Sequence, residues 1–531
     1  MNNKMQAKDL INIGLFTVIY FVLGCHHVHF VHCRLCADYR KQVVLMTEIK
    51  NVSFRYRSDT AAGGVHDINL SVPDGQTVVL CGESGCGKTT LTRLINGLIP
   101  HYFEGEMHGN VTIDGCDVSG QPLYDTARLV GSVFQNPRSQ FFNVDTTGEL
   151  SFGCENLGMP RDEILGRLHR TVTALKIEGL LDRSIFDLSG GEKQKIACGG
   201  AFMMDPRVYV LDEPSANLDS DSIADLRDIV AYLRSLGKTV ILSEHRLYYL
   251  RGIADRYIYM KDGGIAGDYT SEEFERIPEA ERRKMGLRTN DLSSLSARGP
   301  SAHSPASALL EKFSFSYKNA PETLKIDAAS IPYGGIIGII GHNGAGKSTF
   351  SRCFCGLERR CGTVTVDGTA YRARERLNRC YIVMQDAGHQ LFTESVLDEV
   401  LISMAEENEK EDAAILEGLD LAALSDRHPA SLSGGQKQRL AIASAVAAER
   451  PVIFLDEPTS GLDYRHMMEV AGLLKALRED GKTVYVITHD PEFICECCTD
   501  IIHLESGNIK ETYPMDAAGA DKIRRFFRID A

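Results

Sequence analysis

The chain has 531 residues, which is enough for two domains of ordinary size, and a formal net charge of −14. This charge argues against nucleic acid as the main partner. Fifteen cysteines indicate reduced thiols of a cytosolic protein rather than a disulfide framework. No set of long apolar segments is present, so we expect no transmembrane domain in this sequence.

Residues 1–45 precede the repeated part of the chain. An apolar stretch, Leu10–Gly24, follows two lysines but is short for a spanning helix, and we reject its interpretation as a signal peptide. The cysteines and histidines of Cys25–Cys36 have a metal-ligand spacing, although a single Cys-x2-Cys pair is weak evidence for zinc. We favour an unstructured or frameshift-like stretch over a metal site.

A phosphate-binding loop motif, G-x-x-x-x-G-K-[ST], follows a strand-like apolar run at residues 82–89 and again at residues 341–348. The backbone N–H groups of such a loop cradle phosphates at the start of a helix. Two nucleotide sites are therefore expected. The residues that would hold the phosphates are Gly82, Gly85, Gly87, Lys88, Thr89, Thr90, Gly341, Gly344, Gly346, Lys347, Ser348 and Thr349.

Further motifs recur in the same order after each loop. A glutamine is followed by Leu-Ser-Gly-Gly, by an apolar strand that ends in Asp-Glu-Pro, and by a strand that ends near a histidine. The last three motifs repeat at a constant separation of 244 positions, whereas the glutamines are 250 apart and the P-loops 259. The chain is a tandem duplication with small insertions in its first half. The repeated residues are Gln135, Ser189, Gly190, Gly191, Asp212, Glu213 and His245 in the first half and Gln385, Ser433, Gly434, Gly435, Asp456, Glu457 and His489 in the second.

This ordered set resembles the nucleotide-binding domain of the ABC ATPase superfamily, over about residues 47–270 and 307–513. The resemblance implies two tandem α/β P-loop domains, each with a parallel core sheet, an antiparallel edge sheet and a helical subdomain that carries the Leu-Ser-Gly-Gly signature. We place the first domain at residues 46–270, a linker at 271–306 and the second domain at 307–531.

Phosphoryl transfer needs mainly positioning and charge neutralisation. The lysines can reach the β- and γ-phosphates of ATP, and Glu213 and Glu457 can orient the attacking water. By the resemblance, His245 and His489 contact the γ-phosphate, Gln135 and Gln385 sense it together with the metal, and Tyr56 and Tyr317 stack on adenine or are core aromatics. The expected Mg²⁺ ligands are Thr89, Gln135, Asp212, Ser348, Gln385 and Asp456.

The signature segments explain why two halves are needed, because each opens a helix and offers its N–H groups to an anion. In the superfamily this site faces the P-loop of the other half. One composite site would then join Lys88, Asp212, Glu213 and His245 to Ser433. The other would join Lys347, Asp456, Glu457 and His489 to Ser189. Since neither half has lost its Glu or His, we predict two competent sites.

The segment after the first glutamine, Phe134-Gln-Asn-Pro-Arg-Ser-Gln-Phe-Phe142, closely resembles the ATPases of energy-coupling factor (ECF) importers. The second copy, Met384–Phe392, keeps Gln-Leu-Phe but lacks Asn-Pro. In that family this groove receives the coupling helices of an integral-membrane T component, while a small S component binds the vitamin or other solute. The resemblance implies a peripheral ATPase at the cytoplasmic face of the plasma membrane, with no nucleic-acid partner.

Two alternatives belong to other classes. The soluble twin-ATPase translation factors that act on ribosomes typically have Asn-His-Leu-Asp after the catalytic carboxylates, where this chain has Ala216–Asp219 and Ser460–Asp463. The linker composition, rich in serine at residues 292–305, predicts a flexible tether that is too short and polar for a ribosome-probing hairpin. The twin ATPases of sugar importers usually depart more from the standard motifs in their second halves.

The N-terminal apolar stretch resembles the opening of the first membrane helix of some S components. Residues 1–45 are accordingly expected to be a fused or mis-annotated remnant of a neighbouring S-component reading frame, with native translation beginning at Met46.

Overall fold

The computed structural model describes residues 46–57, 63–216, 218–298, 306–318, 322–385, 387–404 and 409–527. The N-terminal stretch, with its metal-site and S-component hypotheses, lies outside these residues. Within them the chain forms two halves of the same architecture, each with one antiparallel and one mostly parallel sheet. The predicted fold class is confirmed.

The described residues of the first half form ten strands in two sheets. The antiparallel sheet has the order β2-β1-β4-β5, and the larger sheet has the order β10-β9-β3-β8-β7-β6, parallel except for the β9–β10 pair. The strands are β1 (Met46–Tyr56), β2 (Gly64–Pro73), β3 (Thr77–Cys81), β4 (Gly105–Ile113), β5 (Cys116–Asp117), β6 (Val130–Val133), β7 (Val208–Asp212), β8 (Thr239–Ser243), β9 (Arg256–Lys261) and β10 (Gly264–Thr270).

The second half repeats this topology. Its sheets have the orders β12-β11-β14-β15 and β20-β19-β13-β18-β17-β16, again with a single antiparallel pair at the β19–β20 edge of the larger one. The strands are β11 (Ala306–Ser316), β12 (Glu322–Tyr333), β13 (Ile336–Ile340), β14 (Thr363–Val366), β15 (Thr369–Tyr371), β16 (Cys380–Val383), β17 (Val452–Asp456), β18 (Thr483–Ile487), β19 (Asp500–Glu505) and β20 (Asn508–Pro514).

The central strands are apolar throughout because both faces of a parallel sheet are covered. In β3, Val78 and Leu80 belong to one buried cluster, while Val79 and Cys81 belong to another on the opposite face. Strand β13 divides its isoleucines in the same way. Each half therefore has two cores, and the carboxyl ends of its parallel strands meet at one edge, where the motif residues follow.

Helices cover the sheets and form the signature subdomains. In the first half and linker they are α1 (Lys88–Ile95), α2 (Leu98–His101), α3 (Leu123–Leu129), α4 (Thr146–Asn156), α5 (Arg161–Leu175), α6 (Gly190–Met203), α7 (Ser220–Ser235), α8 (Ser271–Glu275) and α9 (Glu279–Lys284). In the second half they are α10 (Lys347–Phe354), α11 (Ala373–Leu377), α12 (Val396–Leu401), α13 (Glu409–Gly418), α14 (Gly434–Ala447), α15 (Tyr464–Glu479), α16 (Pro491–Cys497) and α17 (Ala517–Phe526).

The prediction of a flexible tether is wrong for residues 292–298. A 3-10 turn spans Leu292–Ser294, and Leu292 and Leu295 are buried in the core of the second half. The Arg298 N–H donates to the carbonyl oxygen of Cys495 at 2.7 Å. Serine-rich composition predicted an unfolded segment, but the two leucines supply the apolar contacts that anchor this segment.

Among the residues that the structure describes, no helix is both long enough and apolar enough to cross a membrane.

Candidate functional site

The two P-loops connect the buried strands β3 and β13 to the helices α1 and α10. Their first glycine is required because a Cβ on Gly82 would meet Met260 O at 2.3 Å, and one on Gly341 would meet Leu504 O at 2.4 Å. Only glycine permits so close a backbone approach. The other predicted loop glycines also have positive φ angles, and these are Gly85, Gly87, Gly344 and Gly346.

The P-loop lysines are buried and bonded to their own loops. The Nζ atom of Lys88 donates to two loop carbonyl oxygens at 2.9 and 3.0 Å, and that of Lys347 does so at 2.7 and 3.2 Å. Burial lowers the pKa of Lys347. Each ammonium thus sits in the loop whose N–H groups would cradle phosphate, as the motif predicts.

In each half, the predicted metal ligand that follows the P-loop lysine is hydrogen-bonded to the predicted aspartate ligand at the end of another strand of the larger sheet. Thr89 Oγ1 donates to Asp212 Oδ1 at 3.2 Å, and Ser348 Oγ donates to Asp456 Oδ2 at 2.8 Å. Burial raises the pKa of both aspartates. One carboxylate and one hydroxyl, with phosphate oxygens and water completing the octahedron, is a donor set that Mg²⁺ uses. The residues therefore fit a Mg²⁺–nucleotide in both halves.

The two catalytic glutamate candidates share an uncommon backbone conformation. Glu213 has φ 43° and Glu457 has φ 53°, in the left-handed region that few non-glycine residues adopt. Their N–H groups donate to Ser243 O at 3.0 Å and to Ile487 O at 2.8 Å, which fixes the turn at the end of the neighbouring strand. Such strain is concentrated at functional sites.

Each glutamate faces the predicted histidine, but the two pairs differ. His245 Nε2 lies 3.2 Å from Glu213 Oε1, whereas His489 Nε2 lies 3.7 Å from Glu457 Oε1. Burial raises the pKa of Glu457 to about 8, and neighbouring Asp456 adds to this effect. Burial acts on Glu213 as well, but the charge and hydrogen bond of His245 outweigh it and lower its pKa. Burial also lowers the pKa of His489 to about 3, so this histidine is neutral at pH 7.

The two glutamines are placed unequally. Gln135 Nε2 donates to Glu213 Oε2 at 2.6 Å, so the first glutamine already touches the catalytic carboxylate. Gln385 is exposed after β16, and no corresponding bond to Glu457 is recorded within the described part of the chain. A 3-10 turn follows each glutamine, Pro137–Ser139 and Ala387–His389.

The tyrosines predicted to stack on adenine lie beside the P-loop helices. Tyr56 Oη and Thr90 Oγ1 are 3.2 Å apart, and Tyr317 Oη and Thr349 Oγ1 are also 3.2 Å apart. Both rings are thus held by the residue two positions after the P-loop lysine. Their stacking on adenine stays a prediction.

The signature serines cap the long helices α6 and α14. Ser189 accepts a hydrogen bond from Glu192 N, and Ser433 accepts one from Gln436 N, with the return bond of a capping box in each case. The serines and the glycines that follow them, Gly190 and Gly434, are exposed, whereas Gly191 is buried and Gly435 is half-buried. Each helix therefore presents its positive dipole end to solvent or to a partner surface, which suits an anion.

Contacts between the halves run through the segment that follows each catalytic glutamate, here termed the post-glutamate loop. Its described residues are 214–216 and 218–219 in the first half and 458–463 in the second. Ser84 N, in the first P-loop, donates to Asp463 Oδ2 at 2.6 Å. His342 Nδ1, in the second P-loop, lies 2.9 Å from Asp221 Oδ2, just beyond the first post-glutamate loop. Each P-loop thus meets the opposite half.

The second post-glutamate loop also reaches the first catalytic glutamate. A Cβ on Gly461 would lie 3.6 Å from Gln135 Nε2 and 3.9 Å from Glu213 Oε2. Ser460 Oγ donates to Ala216 O, which joins the two loops directly. The pairing of Ser189 and Ser433 with the opposite P-loops stays a prediction.

The site residues that sequence reasoning missed are Ser84, Asp221, His342, Ser460 and Asp463. The signal for part of this set was present, because Leu-Asp recurs at 218–219 and 462–463 with the same separation of 244 as the catalytic motifs. No residue pattern gave the partners of these side chains, since the contacts join segments 121 and 379 positions apart.

These features define a class: a twin P-loop ATPase whose two P-loops each contact the opposite half of a duplicated chain. The chain belongs to the ABC transporter family, whose model matches residues 65–216 and 324–460. It is accordingly an ATPase with two fused ABC domains.

Relatives of similar length have the same two halves. A protein of Treponema denticola whose name describes an ABC transporter ATP-binding protein is 44% identical over 473 residues, covering 87% of this chain and 96% of that protein. A protein of Methanosarcina mazei with the same description is 32% identical over 521 residues, covering 87% and 88%.

Solved structures share the fold of both halves. The archaeal ribosome recycling factor aABCE1, solved in complex with the ribosomal stalk protein aP1, matches with a TM-score of 0.62 and 21% identity over 90% of this chain and 92% of that one. A model of ribosome-bound archaeal Pelota and ABCE1 matches with a TM-score of 0.65, at 20% identity, over 92% and 81%.

Proposed function

We propose that this ATPase is the energy-coupling subunit of an ECF-type importer. It would act as a peripheral protein at the cytoplasmic face of the plasma membrane and drive uptake of a vitamin or other small solute through separate T and S components. The observation that carries this proposal is an exposed aromatic surface beside the glutamine segment of each half, where the resemblance expects the T component.

The first of these surfaces, the first patch, consists of Phe142, Val144 and Phe186. Phe186 is 77% exposed, and Phe142 stacks on Phe152 with ring centroids 4.9 Å apart. Val144 pairs through its carbonyl oxygen with Ile185 N at 2.8 Å, so the two segments of the patch are adjacent. Exposed apolar groups gathered in this way are typical of protein interaction sites.

The second half presents Phe392 at the corresponding place, 74% exposed. The scaffold is the same in both halves despite the missing Asn-Pro. Glu149 accepts from Phe142 N at 2.9 Å, and Glu399 accepts from Phe392 N at 3.0 Å.

In each half the glutamine just after the 3-10 turn donates through Nε2 to a carbonyl oxygen of the strand that precedes the turn. Gln140 bonds to Ser132 O and Gln390 bonds to Ile382 O. Both glutamine segments therefore offer a similar backbone arrangement to a protein partner.

A physical route joins the first patch to the chemistry. Gln135 begins the segment that leads to Phe142, and its side chain donates to Glu213. A partner that shifts this segment would move a group bonded to the catalytic carboxylate. The lysines, hydroxyls and aspartates of the P-loop edges would hold Mg²⁺–ATP. Bound Mg²⁺ supplies charge neutralisation for phosphoryl transfer, while the protein positions water and phosphate.

The second candidate is a soluble translation factor that acts on the ribosome. The likeness of the whole chain, both halves included, to structures of ribosome-associated twin ATPases favours it. The net charge of −14 is unfavourable for contact with RNA, and the exposed aromatic patches suit a protein partner. We therefore rank the importer first.

Purification of the tagged chain from detergent-solubilised host membranes, followed by mass spectrometry, tests the proposal. We expect a T-type membrane protein together with small S-type proteins. The double variant Phe186→Ser with Phe392→Ser should lose them, while Leu236→Ser, which removes an exposed leucine at the C-terminal end of α7, should keep them. Recovery of ribosomes without a membrane protein would establish the second candidate instead.

A further inference from the structure

The linker crosses from the first half to the second beside the first ATP site. A Cβ on Gly286 would meet Glu83 Cγ at 2.4 Å, so the linker rests on the first P-loop. Leu287 is buried in a core of the first half, and Leu292 is buried in a core of the second. Arg288 therefore lies at the crossing point, where it is only 3% exposed.

The Arg288 guanidinium binds three groups of the second half. Its Nε donates to Glu492 Oε2 at 3.1 Å, and its Nη2 donates to Asp490 Oδ2. Its Nη1 donates to Leu462 O at 3.4 Å. Both carboxylates are buried, so the charged hydrogen bonds hold the side chain in one orientation.

Through its bond to Leu462 O, Arg288 contacts the residue next to Asp463, which meets the first P-loop at the interface between the halves. Leu462 precedes Asp463, whose carboxylate accepts from Ser84 N of the first P-loop at 2.6 Å. Gly461, on the other side of Leu462, lies beside Glu213. Arg288 thus fixes the part of the second post-glutamate loop that completes the first ATP site.

The first half has a counterpart that is built differently. Arg246, the residue after the catalytic histidine, donates through Nη1 to Leu218 O at 3.2 Å. Positions 218 and 462 are equivalent, as are positions 246 and 490, each pair being 244 residues apart. The second half has Asp490 where the first has Arg246, and a carboxylate cannot donate to Leu462 O. Arg288 of the linker, bound to Asp490, donates in its place.

The accompanying carboxylate has also changed position. In the first half Glu244 accepts from Ser215 Oγ at 2.9 Å. In the second half Asp490 accepts from the equivalent Thr459 Oγ1 at 2.9 Å, while Thr488 occupies the position of Glu244. Each half therefore contains one arginine and one carboxylate that hold its post-glutamate loop, but only the second half takes its arginine from the linker.

We propose that Arg288 is a positioning residue for ATP hydrolysis at the first composite site, where it holds the second post-glutamate loop against Glu213 and the first P-loop. Arg246 has the corresponding role for the second composite site. The linker then supplies a positioning residue to the first ATP site, and it reaches the second only through Asp490, the residue after His489.

Single-turnover hydrolysis, with protein in excess over Mg²⁺–ATP, tests this in two backgrounds. Glu457→Gln leaves the first site to act, and Glu213→Gln leaves the second. In the first background Arg288→Ala should lower the rate constant at saturating protein about tenfold, with little change in the half-saturating protein concentration, because it misplaces a loop and removes no nucleotide contact. In the second background the loss should be clearly smaller, because Arg288 reaches that site only through Asp490, next to His489, and does not hold its post-glutamate loop.

Arg298→Ala is the matched control, because Arg298 belongs to the same linker and pairs with Glu496 at 3.0 Å without reaching Leu462. It should leave both rates within about twofold. A rescue variant adds Thr488→Glu and Asp490→Arg to Arg288→Ala, which gives the second half the arrangement of the first. It should restore most of the lost rate, which a role limited to attaching the linker does not predict.

Hydrogen exchange of the otherwise unaltered protein carrying Arg288→Ala gives a readout independent of turnover. Exchange should quicken about fivefold or more in residues 82–88 and 458–465, and less in residues 341–347. If Arg288→Ala does not fold, Arg288→Lys serves instead, because one ammonium cannot reach all three partners. The proposal would be overturned if Arg288→Ala quickened exchange equally at both P-loops or lowered the hydrolysis rate equally in both backgrounds. A rate loss from Arg298→Ala as large as that from Arg288→Ala would also overturn it.

Discussion

The two composite ATP sites contain the same motif residues, but their surroundings differ. At the first site Glu213 touches both His245 and Gln135, whereas at the second Glu457 lies farther from His489. The loop that closes the first site is held by an arginine of the linker, and the loop that closes the second is held by Arg246. Duplication has thus kept the motif residues predicted to meet the nucleotide, while the residues that position them have diverged.

The largest effect is expected when both catalytic glutamates, which the two sites have in common, are replaced. The double variant Glu213→Gln with Glu457→Gln keeps the side-chain shape but removes both carboxylates that orient water, so turnover should fall by about 10²-fold or more. Nucleotide should still bind, because the P-loop lysines and the signature helices are untouched, and the protein should stay in an ATP-bound closed form. Phosphate release and retention of radiolabelled ATP on a sizing column measure the two effects. Unaltered turnover would contradict the site assignment.

A second variant tests whether Leu295 anchors the linker in the core of the second half. Leu295→Ala leaves a cavity in the second-half core and should lower the free energy of unfolding by about 2–5 kcal/mol. Ser293→Ala, two residues earlier and outside that core, is the control and should change it by less than about 1 kcal/mol. Denaturant titration measures both. Equal, small effects would mean that the linker is not anchored as described.

The smallest expected effect is a difference between the two catalytic glutamates in how they change the melting temperature of the nucleotide-free protein with pH. Burial raises the pKa of folded Glu457 to about 8 from its ordinary value of 4.5, so the folded state loses stability as pH rises between these values. Glu457→Gln should therefore raise the melting temperature at pH 8 by a few degrees, since about 1 kcal/mol corresponds to roughly 2–4 °C in domains of this size. The gain should shrink toward pH 5.

Glu213→Gln should act in the opposite direction. The pKa of Glu213 is lowered on folding, so its carboxylate stabilises the folded state above its ordinary pKa, and replacing it should lower the melting temperature at pH 8. Melting curves of the two single variants at pH 5 and pH 8 provide the comparison. Shifts of the same sign would show that the two glutamates have equivalent surroundings.

Sequence motifs predicted the fold class and the ATPase family because each motif determines its own local structure. The residues of a P-loop, of a strand ending in Asp-Glu and of a capped signature helix determine the local conformation of each motif. Each motif also occurs twice in the sequence. The contacts of Asp463 and Arg288 were not predictable, because they join distant segments and depend on how the halves pack. The linker was misjudged because composition cannot show that Leu292 and Leu295 find a core.

The central claim is that each ATP site is built from both halves. In a Lys347→Ala background only the first P-loop can act, and single-turnover hydrolysis then reports on its partner. Ser433→Arg in this background should lower the rate about 10²-fold, because a large side chain replaces the donor of the opposite signature. Ser189→Arg, its matched control, should leave the rate nearly unchanged. Loss with Ser189→Arg and activity with Ser433→Arg would contradict the account.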